Sequence, residues 1–293
     1  MSRTPRVLLV GAFSVLLAAC GAGGGSNGTA VATNPADMPG GGALHTVAPT
    51  GSVSPGAQTS GVRTVLAPLG LNLRSAASSS AQLVATVAQG TVLTVTGYSG
   101  DGGGWYHVKG DAGTGWITAN PLYSSPHHFN VYTSSQRGFS ALYLEDWTFS
   151  ENPGSVVFRP QSGGGQAIVV QTGATLDALG PPGRDGYTVA STDTAEVYGV
   201  TGVLRIYSRT GTVASPGPDA PPPLAHLAEI RIAIDASRAM RLDFGYDDTG
   251  QLSQFADFYS SVAFPAPATP GPSGSPGASP GASPTASTSP TPL

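Results

Sequence analysis

The chain has 293 residues and a formal net charge of −4, and only 10% of its residues are charged. That balance, with no Lys/Arg cluster, excludes a nucleic-acid surface, and the single cysteine excludes an intrachain disulfide or a cysteine-based zinc site. Its 41 glycines and 26 prolines lie far above ordinary usage and mark low-complexity segments around a smaller folded part.

Residues 1–20 (MSRTPRVLLVGAFSVLLAAC) place Arg3 and Arg6 ahead of an apolar run from Val7 to Ala19. As a helix that run rises about 20 Å, short of the roughly 30 Å hydrocarbon core of a bilayer. It therefore reads as a secretory leader and not as a membrane span. The run ends in Leu17-Ala18-Ala19-Cys20, which resembles the lipobox of bacterial lipoproteins. The resemblance implies that Cys20 is acylated through sulfur and becomes the new N-terminus. A membrane is then the expected first partner, and the expected location is extracytoplasmic, on the cell envelope. Without the two leader arginines, 11 basic residues face 17 acidic ones, a formal charge of −6 that again disfavours nucleic acid.

Residues 21–61 are Gly, Ser, Thr, Ala, Asn and Pro with almost no large apolar side chain. Such a segment cannot bury enough surface to offset its ordering entropy, so it is expected to be a disordered tether with a root-mean-square span of roughly 35 Å. His45 stands alone in it, with no second ligand for a metal.

Residues 62–123 alternate apolar and polar side chains in short runs closed by glycine turns, the pattern of a small all-β unit. Leu71 and Leu73 share a strand face, as do Leu93 and Val95. Four elements, Leu71-Asn72-Leu73-Arg74-Ser75, Gly90-Thr91, Gly104-Trp105-Tyr106-His107-Val108 and Gly115-Trp116-Ile117, resemble in order and spacing the bacterial Src-homology-3-like domain, SH3b. The resemblance implies a half-open barrel of about five strands. It also implies binding of a cell-wall peptide or a protein, or mere positioning of a neighbouring domain. Tyr98, Trp105, Tyr106, Trp116 and Tyr123 are the candidate residues for an aromatic groove that docks an extended peptide. Against this, a barrel so small needs its large side chains inside, and Trp116 is expected in the core. Trp105 and Tyr106 point to opposite strand faces, so one of them is expected at the surface. A lone His107 beside them reads as a surface residue.

Residues 124–264 read as a second folded unit. Strands are expected at His127–Thr133, 138–144, 155–159, 166–171, 196–200, 203–208, 227–235 and 239–246, with Glu145-Asp146-Trp147 a turn carrying an aromatic plug. The second of the apolar strands, 166–171, is expected to be central. A short helix is expected at 174–179, ended by Gly180-Pro181-Pro182, and 210–223 reads as a Pro-rich loop. Leu252, Phe255, Phe258 and Tyr259 have helical spacing, with Asp248 or Thr249 as the cap. The order over 126–264 of a GFS strand, a turn Trp, a meander, a late helix and a terminal S-x-x-F resembles the PsbP-like α+β family. That family consists mostly of accessory proteins, not enzymes. Residues 265–293 repeat Pro, Gly, Ser and Ala at a density that excludes helix and sheet, so an extended disordered tail is expected.

No reaction emerges from the residues. Cys20 is consumed by the leader, G-x-S-x-G is absent, and His127-His128 are adjacent and remote from His226. Glu145, Asp146, Asp243 and Asp247 are the carboxylates available for paired glycan cleavage, but Glu145-Asp146 sit on a turn and Asp247-Asp248 flank a helix start, where acids are favoured for structural reasons. Asp243, Asp247 and Asp248 lack the spacing of a calcium loop, and Gly163-Gly164-Gly165 precedes a strand where a phosphate cradle needs a helix. The expectation is a mixed fold, an SH3-like barrel followed by an α+β domain, with no cofactor, no metal and no enzyme activity. It is expected to be an envelope lipoprotein that binds peptidoglycan or an envelope protein through the barrel. The alternative is that the second domain binds a protein or small ligand while the barrel is a spacer. A cell-wall hydrolase is the third reading.

Overall fold

Seven short strands build the N-terminal sheet: β1 (Gly61–Val65), β2 (Leu71–Arg74), β3 (Leu83–Val87), β4 (Val92–Ser99), β5 (Trp105–Gly110), β6 (Gly113–Thr118) and β7 (Ser124–Ser125). This is a computed structural model, and it describes residues 60–100, 103–163, 165–213 and 220–264. The leader with Cys20, the tether through residue 59, the tail from 265 and the centre of the Pro-rich loop lie outside the described residues. The strands are antiparallel in the order β3-β2-β6-β5-β4-β1-β7.

Period-two alternation turns Leu71, Leu73, Leu93, Val95, Val108 and Ile117 into one core with Tyr106. Gly70 has φ +86°, and a Cβ there would meet Thr86 Cγ2 at 2.8 Å and Val87 O at 2.9 Å. Only glycine turns the chain so tightly into β2. Two strands exceed the five expected. One of them, β7, lies beyond residue 123 and pairs with β1 through Thr64↔Ser125 and Val65↔Ser124.

The second unit opens with a separate hairpin, β8 (Phe129–Ser134) and β9 (Phe139–Leu144). A seven-stranded antiparallel sheet follows: β10 (Trp147–Glu151), β11 (Ser155–Pro160), β12 (Ala167–Gly173), β13 (Tyr187–Val197), β14 (Val200–Arg209), β15 (His226–Asp235) and β16 (Arg238–Tyr246). Its order is β10-β11-β12-β16-β15-β14-β13. The strand expected across 196–200 is instead a hairpin turn, with Tyr198 at φ 53° and Gly199 at φ 75°. Both central residues take positive φ, the geometry whose twist matches the flanking strands. The strand expected from His127 begins at Phe129. The helix expected at 174–179 shrinks to a single 3-10 turn, Asp177–Leu179.

One helix, α1 (Leu252–Ser261), closes the unit. Asp248 accepts from Gly250 N at 2.8 Å and, with Gln251, forms a capping box over the preceding 3-10 turn. Phe255, Phe258 and Tyr259 press one helical face onto the sheet, against Ile168, Leu204, Leu242 and Phe244. Full burial of each such side chain stabilises by roughly 1.5–3 kcal/mol. The architecture is mixed: an SH3-like all-β sheet followed by an antiparallel α+β unit.

Candidate functional site

The five aromatic candidates of the first unit are not gathered into a groove. Tyr106 (1% exposed) is core, and Tyr98 packs against it with ring centroids 5.5 Å apart. Tyr123 is half-buried against the same core. Trp105 lies on the opposite strand face, as its spacing demands, yet it is only 5% exposed. The expectation that one of Trp105 and Tyr106 would be exposed therefore fails. Trp116 departs from expectation the other way. Its register partner is His107 on β5, a strand whose Tyr106 and Val108 point inward, so Trp116 takes the outer face. It is half-buried there, with the His107 ring 4.9 Å away, and Thr96 Oγ1 lies 2.7 Å from His107 Nδ1. What the sheet presents outward is thus a Trp116–His107–Thr96 strip. His107, read alone as a surface residue, is half of it.

A second constellation joins the two sheets, and sequence reasoning missed it. Arg63 on β1 is 7% exposed, holds its guanidinium 4.2 Å from the Tyr106 ring centroid, and donates to the Tyr106 hydroxyl. Next to it Thr64 Oγ1 donates to His127 O at 2.6 Å. Ser125 Oγ donates to Asp257 Oδ2 at 2.7 Å, both residues being buried. Gln89 Nε2 donates to Leu66 O and to Ser261 O, at 2.8 and 2.7 Å. Ser261 Oγ accepts from Leu142 N at 2.8 Å and donates to Phe258 O at 2.7 Å. Asp257 and Ser261 are spaced i, i+4, so they form one polar stripe of α1 beside its aromatic face. Burial pushes the Asp257 carboxyl up to about 7, although the Ser125 hydrogen bond and Arg63 both oppose the shift. The only sequence signal was a polar residue inside an aromatic helical run.

The third constellation lies on the face of the large sheet away from α1. Glu229 is fully buried, 2.9 Å from Arg241 Nη2 and 3.7 Å from Arg205, and it accepts from Tyr207 OH at 3.3 Å. Arg241 Nε also holds Asp243 at 2.9 Å. Residues 176–183 lie over this cluster as a strap. Arg231 Nη2 donates to Leu176 O and Gly180 O at 2.6 and 2.7 Å, Arg241 donates to Pro181 O and Gly183 O at 3.2 and 3.3 Å, and Gly183 N returns a bond to Glu229 at 2.9 Å. Burial drives the Asp243 carboxyl up to about 6 against the pull of Arg241. The same cause carries the Tyr207 hydroxyl to about 12, with Glu229 adding to it. Glu229, Arg231 and Arg241 each bond to the strap and Asp243 is held by its strand neighbour Arg241, a construction that fastens a loop.

The remaining candidates stay apart. Asp247 accepts from Ala225 N, Asp248 caps a turn, and Asp243 is bound to Arg241, so each of the three aspartates has its own protein partner. Glu145 and Asp146 sit at the exposed turn between β9 and β10. Among the described residues no group of three or more His, Cys, Asp and Glu side chains is placed to hold a metal. Cys20 lies outside the described residues.

Residues 69–121 match the family of the bacterial SH3 domain. No curated protein matches the chain. Among solved structures the chain is similar to the cyanobacterial PsbP (CyanoP) of Synechocystis sp., at 16% identity and a TM-score of 0.34, covering 46% of this chain and 92% of that one. It is also similar to a protein of Bacteroides thetaiotaomicron, at 14% identity and a TM-score of 0.24, covering 46% of this chain and 47% of that one.

Proposed function

We propose that the protein is a non-catalytic lipoprotein of a bacterial envelope, held at the membrane through acylated Cys20, whose SH3-like sheet binds a cell-wall peptide or an envelope protein. The observation that carries this reading is the outward Trp116–His107 pair on a domain whose other aromatics are committed to packing. A half-buried Trp with a polar partner keeps apolar area available while its ring is already oriented, the property of a binding anchor. The family match supports the reading, because bacterial SH3 domains commonly bind peptidoglycan or proteins. The leader, with the chain's one cysteine at its end, supports the address.

The test is cosedimentation of the full chain with purified cell-wall sacculi. Trp116→Ala should weaken retention about tenfold, the effect of removing a modest aromatic anchor. Undiminished retention by that variant, or none by the parent, sinks the wall-binding reading. Trp105→Ala is the poorer probe, since Trp105 is buried and its loss would damage folding.

The second reading assigns the function to the α+β unit. It has one observation in its favour, a cleft of about 60 Å³ between α1 and the β13–β14 hairpin, lined by Leu204, Ile206, Leu252, Phe255 and Tyr259. Small-molecule sites run to roughly 300 Å³ or more, so that volume favours a protein contact over a ligand pocket.

A further inference from the structure

The joint between the two sheets is built around a carboxyl group that the packing does not fully compensate. Asp257 is 8% exposed and receives one short neutral hydrogen bond, from Ser125 Oγ at 2.7 Å. The cation that faces it, Arg63 of β1, is itself buried and turned onto Tyr106 of β5. A carboxylate out of water with one neutral donor and a distant share in a cation is costly, whereas the neutral acid is not. The same wall holds the β1–β7 ladder, whose Ser125 is the donor, and the Gln89 bridge from the barrel to Ser261. What happens at Asp257 therefore acts on the attachment of the SH3-like sheet to α1.

We propose that this joint is a proton-governed latch, shut while Asp257 is protonated and loosened when Asp257 ionises. The groups facing it are Ser125 and Arg63 from the barrel and Tyr259 from α1 itself; Tyr106 lies behind Arg63, and His127, two residues from Ser125, interacts with Arg63, Asp146 and His128. Tyr106 and Tyr259 stay neutral, since burial raises both hydroxyls, Tyr259 to about 12. Burial lowers the Arg63 pKa from its ordinary value, while Tyr106 and Asp257 oppose that shift. His127 works against the latch: burial lowers its imidazole, so it costs stability as pH falls below about 6.5. Asp257 has the opposite sign. Its closed-state value of about 7 stands above the ordinary carboxyl value near 3.8, so the closed joint binds the extra proton. Closure is then strongest at and below about pH 4, weakens as pH rises toward 7, and levels off above that.

The open-to-closed ratio of the joint should rise about 80-fold between pH 5 and pH 8, from an acid of about 7 closed and about 4 open. The experiment is amide hydrogen exchange on the full chain over that range, corrected for intrinsic rates. It follows peptides spanning β1, β7 and α1, with β10 and β11, which do not pair with β16, as the internal reference. Asp257→Asn, which keeps a neutral side chain of the same shape, should exchange slowly at pH 8 and lose the pH dependence at the joint. Ser125→Ala removes the donor that favours the charged form, so the rise should begin at the same pH but continue to a higher one before it levels off. A joint whose exchange in Asp257→Asn still climbs with pH like the parent's overturns the proposal. So does a Ser125→Ala profile that levels off where the parent's does, which covers the case of an Asp257→Asn chain that fails to fold.

Discussion

At the scale of single residues, a few charged side chains are buried: Arg63, Arg74, Glu229, Arg231, Asp243 and Asp257. Glu229 is fully buried between Arg241 and Arg205 and receives a strap amide besides. Replacing a buried ion pair wholesale by apolar groups can be neutral, but removing one partner leaves the other charge desolvated and unpaired. Glu229→Gln is therefore expected to cost about 3 kcal/mol, read as a lower denaturant midpoint at unchanged slope. Asp243 shows the price of such placement, since its carboxyl is held up at about 6. Its sign matches that of Asp257: both bind a proton more tightly when folded, so both make the chain less stable as pH rises from about 4 through 6 and 7. The sequence could show that Glu229 and Arg231 alternate with Ala228, Ile230 and Ile232. Alternation alone would send those charges to water. They are buried because residues 176–183 cross the same face, a fact no local pattern contains.

At the scale of elements, the strands were legible wherever alternation was clean and turns were marked by glycine. β2, β4, β15 and β16 fall close to their expected places for that reason. The hairpin turn at Tyr198-Gly199 was not, because Tyr198 at φ 53° is a residue that rarely enters that region and Val197 and Val200 on either side read as one strand. The strand β13 was seen only at its end, since its Thr- and Ser-rich edge, Thr188 to Thr194, lacks the apolar alternation that marks a half-buried strand. Within β14, Gly202 lies where a Cβ would meet Ile232 Cγ2 at 2.1 Å and Arg231 O at 2.8 Å. Gly202→Ala is expected to destabilise by about 2 kcal/mol or more through that close approach to β15, and a lowered thermal midpoint measures it. The helix α1 was legible on its aromatic face and illegible on its polar one. Helical spacing identifies Phe255, Phe258 and Tyr259. It cannot say that Asp257 and Ser261 meet a barrel placed well over 100 residues earlier, at Ser125 and Gln89.

At the scale of the whole molecule, the two sheets are joined by hydrogen bonds and not by a bare linker. β7 belongs to the first sheet, yet its Ser125 serves the helix of the second unit. The outward strip on β5 and β6, proposed above as a binding surface, is thereby carried on a body that also includes the large sheet, which suits a presented module better than a freely swinging one. The proposed address makes its own prediction. Cys20→Ser should abolish palmitate labelling and move the protein from the membrane to the soluble fraction, and labelling that persists would refute the anchor.

The amino-acid sequence by itself determined the local matters: the alternation of the barrel strands, the capped amphipathic helix, and the resemblance of 69–121 to a bacterial SH3 domain. These depend on neighbours one to four residues apart, and short-range physics reads them directly. Tertiary structure alone decided which aromatics were available, because Trp105, Tyr106 and Trp116 differ in what long-range chain covers them and not in their own spacing. It alone decided that Arg63 and Asp257 share a wall and that Glu229 and Arg241 lie under a strap. Burial of a charge is a property of the segments that return to cover it, and those returns span tens to hundreds of residues.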